Sequence, residues 1–256
     1  MGRFNENGAA LSKSLMSIKT KPTMKEFMSK QRWVGYWREL KSLVLIVLIL
    51  TAVRSAIADW NDVPSGSMNP TIVEGDRVFV NKVAYDLKVP FTTWHLAEWS
   101  NPKRGDIVVF FSPVDGTRLV KRVIGLPGDC LEMVNDRLYI NGRAAQYDPI
   151  SANVGHDVPA STHGPRLFAL ERVAESPSHA VTLLPLIQAR RSFPPITIPE
   201  GKYFMMGDNR DDSYDSRYWG PVKRDRIVGR ASLVVLSVDR KNYFKPRWDR
   251  FFTELF

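Results

Sequence analysis

The chain has 256 residues, a formal charge of +9 and 44% hydrophobic side chains, enough for one domain of moderate size or one domain plus an insertion. The charge sits at the ends: residues 1–42 hold nine Lys/Arg against three Glu, residues 240–256 hold five basic against two acidic side chains, and the 197 residues between are neutral. That distribution excludes a nucleic-acid groove through the body and points to membrane surfaces instead. One cysteine, Cys130, excludes an intramolecular disulfide and leaves the redox compartment open. Together with four scattered histidines (His95, His156, His163, His179), it offers no recognisable zinc-ligand spacing.

Residues 1–38 form a basic segment. Leu43–Val53, "LVLIVLILTAV", is uncharged but only 11 residues long, short of the roughly 20 that a spanning helix needs. Extended from Glu39 to Trp60 it reaches 22 residues, with Lys41 and Arg54 near opposite ends, where they can snorkel. The basic segment then belongs in the cytoplasm and everything after Trp60 outside. A buried core helix is one competing reading. A cleavable signal peptide is another, because Ala56–Ala58, "AIA", has the form of a cleavage site, although Arg54 interrupts the approach to it. The reading adopted is an uncleaved anchor over 39–60.

The next segments predict strands. Short apolar runs follow Gly-Asp pairs at Gly75, Gly105 and Gly128, each read as a turn with glycine at positive φ and aspartate as turn-maker. "LEMVNDRLYINGRAA" predicts a hairpin with turns at Asn135-Asp136 and Asn141-Gly142. Residues 146–197 break the rhythm with seven prolines and three of the four histidines, and read as an inserted subdomain. Strand signals return at "GKYFMMGD" and "RIVGRASLVVLSVD". The fold class predicted is therefore mostly β: an antiparallel sheet body over 61–145 and 198–239 with a small inserted subdomain, preceded by one transmembrane helix. A basic aromatic tail, 240–256, follows. Its Trp248, Phe251, Phe252 and Phe256 stand at i, i+3, i+4 and i+8, which predicts an interfacial helix. Phe91, Trp94 and Trp99 make a second aromatic cluster.

Three stretches could carry chemistry. "VPSGSMNPTIVEGD", Val63 to Asp76, holds Ser65 and Ser67. A serine needs a base, and none of the histidines lies in a motif-like setting. In "RLVKRVIGLPGD" a strand over Arg118–Ile124 would put Lys121 on the face of Leu119 and Val123. Such a lysine becomes a base only if burial lowers its pKa by about 2 to 3 units and no carboxylate lies beside it. Arg122 cannot deprotonate. In "GDNRDDSYDSRYWGPV", an extended chain would align Ser213, Asp215 and Arg217 and pair the last two. A calcium loop is excluded, since counting from Asp211 puts Ser216 where the turn glycine belongs and Val222 where the glutamate belongs.

Taken together, these stretches strongly resemble the type I bacterial signal peptidases, the leader peptidase family of Ser/Lys endopeptidases. The match rests on "PSGSMNPT", "RGDIVVF", "RLVKRVIGLPGD" and "GDNRDDSYDSRYWGPV", in the family's order behind a membrane anchor. The resemblance implies Ser67 as nucleophile and Lys121 as general base. It implies that Ser65 donates to the oxyanion hole beside the Ser67 N–H and that Ser213 orients the Lys121 amine. Asp215 and Arg217 would form a supporting ion pair with Arg122 as a structural neighbour, and apolar pockets near Met68 would select small residues at positions −1 and −3. It also implies secretory preproteins as substrates, a lipid bilayer as partner, a monomer without cofactor or metal, and a single-pass place in the bacterial inner membrane with the catalytic domain outside. Rival readings are a conjugative-pilin processing peptidase, a self-cleaving repressor, which would need a DNA-binding domain in place of the anchor, and a non-catalytic membrane-anchored adaptor.

Overall fold

The computed structural model describes residues 24–92, 94–159 and 164–255. Residues 1–23 of the basic segment, His163 and Phe256 lie outside them. The first element is a 33-residue helix, Met24–Ala56, whose Leu43–Leu50 side chains are each about half exposed. It starts well ahead of Glu39 and stops at Ala56, and the residues Ala58–Trp60 expected at its end lie in a strand instead. Among the described residues no helix is both long and apolar enough to cross a membrane; Glu39, Lys41 and Arg54 bracket the apolar run closely.

Residues 51–256 make a unit of their own, and it is antiparallel β. The main sheet runs in the order Ala58–Asp62, Asp76–Asn81, Ile227–Asp239, Ile107–Phe111, Arg118–Gly125, Lys202–Met206, Val222–Lys223. Strand Ile107–Phe111 is buried on both faces. Its Ile107 and Val109 enter one apolar cluster with Met68, Ile72, Val78 and Val80, and its Val108 and Phe110 enter another with Val123, Tyr203 and Met205. Alternation along this one strand therefore joins two cores.

The turn readings explain how the strands are aimed. At Gly75, Gly105 and Gly128 φ is 93°, 93° and 84°. The following aspartates accept the N–H of Val73, Lys103 and Leu126 at 2.9, 2.9 and 2.7 Å. Asn135-Asp136 and Asn141-Gly142 all have positive φ and link Cys130–Val134, Arg137–Ile140 and Arg143–Ala144 into a meander, as tight hairpin turns of this composition do. Phe193–Thr197 joins this meander on Cys130–Val134. The rest of the inserted region folds as a three-stranded sheet of Gln146–Pro149, Leu167–Arg172 and His179–Leu183.

The tail is not the helix its periodicity predicted. Lys245–Pro246 and Thr253–Glu254 pair with the long strand Ile227–Asp239, and Leu255 packs on the core. Arg250 reaches inward to the buried Asp76 at 2.6 Å. Unpaired backbone along the 13-residue strand is a stronger attraction for the tail than amphipathic spacing in isolation.

Gly75 turns the chain away from the Ser65–Ser67 loop, and a Cβ there would lie 2.1 Å from the Val238 carbonyl oxygen. Gly75→Ala is expected to cost at least about 2 kcal/mol through strain at positive φ and that clash. Urea denaturation of the two proteins checks this.

Candidate active site

Ser67 sits on the connection between the edge strand Ala58–Asp62 and Asp76–Asn81. The base of this loop is closed by Val63 N–H to Asp76 C=O at 2.9 Å and Gly75 N–H to Val63 C=O at 3.1 Å. Met68, Ile72 and Val73 drive the rest of the loop into the core. Met68 is therefore buried, one residue after Ser67, and packs in the core cluster with Ile72, Val78 and Val80. Ser67 itself is half-buried and Ser65 exposed. The backbone N–H of Ser67 donates to no acceptor within the described residues, while its carbonyl accepts the Asn209 N–H at 3.1 Å and the Gly66 carbonyl accepts Asn209 Nδ2 at 3.0 Å.

Lys121 comes from strand Arg118–Gly125 and is 3% exposed. Its Nζ is hydrogen-bonded to Ser67 Oγ across 54 residues of sequence. Among the described residues no carboxylate lies within ion-pairing distance of the amine. Burial dominates and lowers its pKa to about 8, with Asp215 and Asp208 pulling weakly upward and Arg217 downward. A lysine needs this desolvation to be neutral near physiological pH.

The loop after Lys202–Met206 supplies the third side. Gly207 donates to Asp215 Oδ2 at 3.0 Å, and a Cβ at Gly207 would lie 2.4 Å from the Ser67 carbonyl oxygen and 2.3 Å from Ser213 Oγ. Only glycine lets the two loops approach this closely. Asp215 and Arg217 are paired at 2.8 Å and buried, but not along an extended chain: Asp215 caps the short helix Ser216–Trp219, accepting the Arg217 N–H at 3.2 Å. Burial opposes the Asp215 charge, yet Arg217 and the Gly207 N–H hold its carboxyl below the usual range. No hydrogen bond joins Ser213 Oγ to Lys121; the buried Ser213 hydroxyl instead lies beside the Asp215 carboxylate and helps hold it charged.

Behind Ser67 and Lys121 lies a polar network that sequence reasoning missed. Arg122 is fully buried and grips Asp208 with two bonds, Nε to Oδ1 at 2.9 Å and Nη2 to Oδ2 at 2.8 Å, while Nη1 donates to the Gly105 carbonyl. The Thr71 hydroxyl donates to the same carboxylate at 2.6 Å, so Asp208 ties the serine loop to the lysine strand. Next to it the inserted sheet contributes Glu171, which pairs with Arg210 and His179 and accepts the Tyr147 hydroxyl at 2.6 Å. Burial alone would raise the Glu171 carboxyl, but Arg210 and His179 hold it far below its ordinary value. The available signal was the charge density of "GDNRDDSYDSRYWGPV", in which only Ser213, Asp215 and Arg217 were given roles.

One group among the described residues, His156, Asp157 and Asp249, brings donor atoms within 4.8 Å of one another. Asp249 holds His156 above its ordinary pKa, which makes the group an ion-paired cluster at the surface.

Comparison with known proteins gives the family. The family described as "Signal peptidase, peptidase S26" matches residues 36–236. A signal peptidase I of Pseudomonas fluorescens is 35% identical over 209 residues, covering 77% of this chain and 71% of its own. That of Pseudomonas aeruginosa is 34% identical over 229 residues, covering 84% and 77%. Signal peptidase I T of Bacillus subtilis is 33% identical over 215 residues, covering 84% and 92%.

The buried Lys121 also makes a thermodynamic prediction. With a folded pKa of about 8 against 10.5 for free lysine, its charge opposes folding fully below pH 8, and the penalty is lost as pH rises to 10.5. Lys121→Met is expected to raise unfolding free energy at pH 7 by up to about 3 kcal/mol. The gain should fade towards pH 10.5, as denaturation at the two pH values will test.

Proposed function

Because the chain belongs to the signal peptidase family, peptidase S26, and is a signal peptidase I that removes signal peptides, we propose that Ser67 and Lys121 carry the reaction as a Ser/Lys dyad. The observation that supports this reading best is the hydrogen bond between Ser67 Oγ and a buried lysine with no carboxylate partner. Neutral Lys121 takes the Ser67 proton as Oγ attacks the scissile carbonyl, then gives it to the leaving amine. Water activated by the same amine releases the acyl group. The Ser67 N–H, which has no acceptor among the described residues, and the Ser65 hydroxyl stabilise the oxyanion, where a single donor is worth about 3 to 4 kcal/mol.

Two open strand edges lead to this pair. The edge strand Ala58–Asp62 pairs on one side only. Strand Arg118–Gly125 pairs with Lys202–Met206 only from Arg122 onward, so Arg118–Lys121 keeps a free edge. A substrate segment binds extended between them, adding main-chain hydrogen bonds to both. Such a mode suits sites flanked by small residues, because the half-buried serine offers little room.

The helix Met24–Ala56 anchors the enzyme in this proposal. Support comes from the uncharged run Leu43–Val53 and the exposure of Leu43–Leu50. The apolar length alone is insufficient, so anchoring relies on Lys41 and Arg54 reaching the headgroups from either side. The enzyme then works at the outer face of the bacterial inner membrane, where its preprotein substrates are also held.

Cleavage of a preprotein with an Ala-x-Ala site in detergent tests the dyad. Wild type should cut directly after the second alanine, Ser67→Ala and Lys121→Met should lose activity, and Ser65→Ala should lower kcat about 100-fold. Full activity in either dyad variant would overturn the assignment. For wild type, kcat/KM should rise about tenfold per pH unit below a lysine pKa of about 8 and level off above it.

A further inference from the structure

Upstream of Ser67 the two open edges are bridged by a side chain. Arg118, three residues before Lys121 on the same strand, donates through Nη1 to Asp59 Oδ2 at 3.2 Å and to Asn61 Oδ1 at 2.9 Å on the edge strand. The two strands are not neighbours in the sheet; three others separate them in pairing order. The contact therefore spans the groove itself. Arg118 also lies over the Phe111 ring, 5.6 Å from its centroid, which fixes the guanidinium over the opening.

The groups around this bridge are richer in donors than in acceptors. Asn61 Oδ1 is occupied by Arg118, whereas Asn61 Nδ2 is buried and has no acceptor. Asp59 faces three cations: Arg118, Arg54 at 3.4 Å and Lys82 at 3.5 Å. A cavity of about 560 Å³ beside Arg118 is lined also by Lys82 and Lys88, with Asp225 the carboxylate on its wall. An incoming carboxylate could take up the idle Asn61 donor and share Arg118 with Asp59.

We propose that Arg118 and Asn61 form a specificity subsite for an acidic side chain of the substrate, upstream of the scissile bond. The proposal rests on the dyad reading above. Arg118 stands three residues from Lys121, about 10 Å along an extended chain, which puts the recognised side chain near position −4.

The test uses one preprotein with an Ala-x-Ala site, with Glu, Ala or Lys scanned singly over positions −5 to +2. Cleavage of the parent substrate by wild type and its loss in Ser67→Ala report the dyad reading independently. Wild type should cleave the Glu substrate about tenfold more efficiently in kcat/KM than the Lys substrate at one position between −3 and −5. Arg118→Gln should bring that ratio within twofold of one, and Arg118→Glu should reverse it in favour of Lys, whatever happens to the absolute rate. The ratio should also shrink in 1 M salt, since the guanidinium is partly exposed. A wild type without upstream preference for Glu, or a preference that survives both substitutions, would overturn the proposal and leave Arg118 as a tether of the edge strand.

Discussion

A lysine kept out of water is the constraint on which the rest of this molecule turns. Lys121 can share a proton with Ser67 only while the amine is desolvated and no carboxylate is close enough to hold it charged. Both conditions are met by arrangement of its neighbours. The carboxylates nearest in the chain's fold, Asp208 and Asp215, are each occupied by an arginine of their own, Arg122 and Arg217. The arginines thus spare the lysine a partner that would have fixed its proton. Removing either guanidinium would leave a buried carboxylate seeking the nearest cation.

The same ion pairs set distances. Asp208 receives bonds from Thr71 on the serine loop and from Arg122 beside the lysine, so Ser67 and Lys121 are located by one carboxylate. Asn209 completes the contact with the serine loop through its N–H to the Ser67 carbonyl and its Nδ2 to the Gly66 carbonyl, and Gly207 through a missing side chain. A site held by packed strands and buried pairs keeps its geometry more closely than one held by loops alone.

Much of this was legible from local pattern. The Gly-Asp turns and the two Asn-containing hairpin turns are decided by residues within a few positions of one another, where steric and hydrogen-bond preferences act directly, whereas Lys121 is buried because both faces of its strand are covered from Lys121 to Gly125. Other features depend on partners far away in sequence. Arg122 and Asp208 are 86 residues apart and Arg210 and Glu171 are 39 apart, so nothing local separates a buried pair from a charged surface loop. Asp215 and Arg217 were paired correctly but given the wrong backbone, because the capping of a four-residue helix looks like alternation in the letters. In the tail, real helical spacing lost to an open strand edge.

The inserted sheet has a consequence for how such a body can vary. Its strand His179–Leu183 lies against the loop after Met206, with Thr182 N–H to Asp208 C=O and Arg210 N–H to Thr182 C=O both at 2.9 Å, and the Thr182 hydroxyl donates to the Asn69 carbonyl. Glu171, on the neighbouring strand, is the counter-ion of the fully enclosed Arg210. The segment between Gln146 and Pro199 is therefore not a detachable ornament. A lineage that shortened it would strand a guanidinium in the interior, so loss of the segment and replacement of the arginine have to travel together across chains of this architecture.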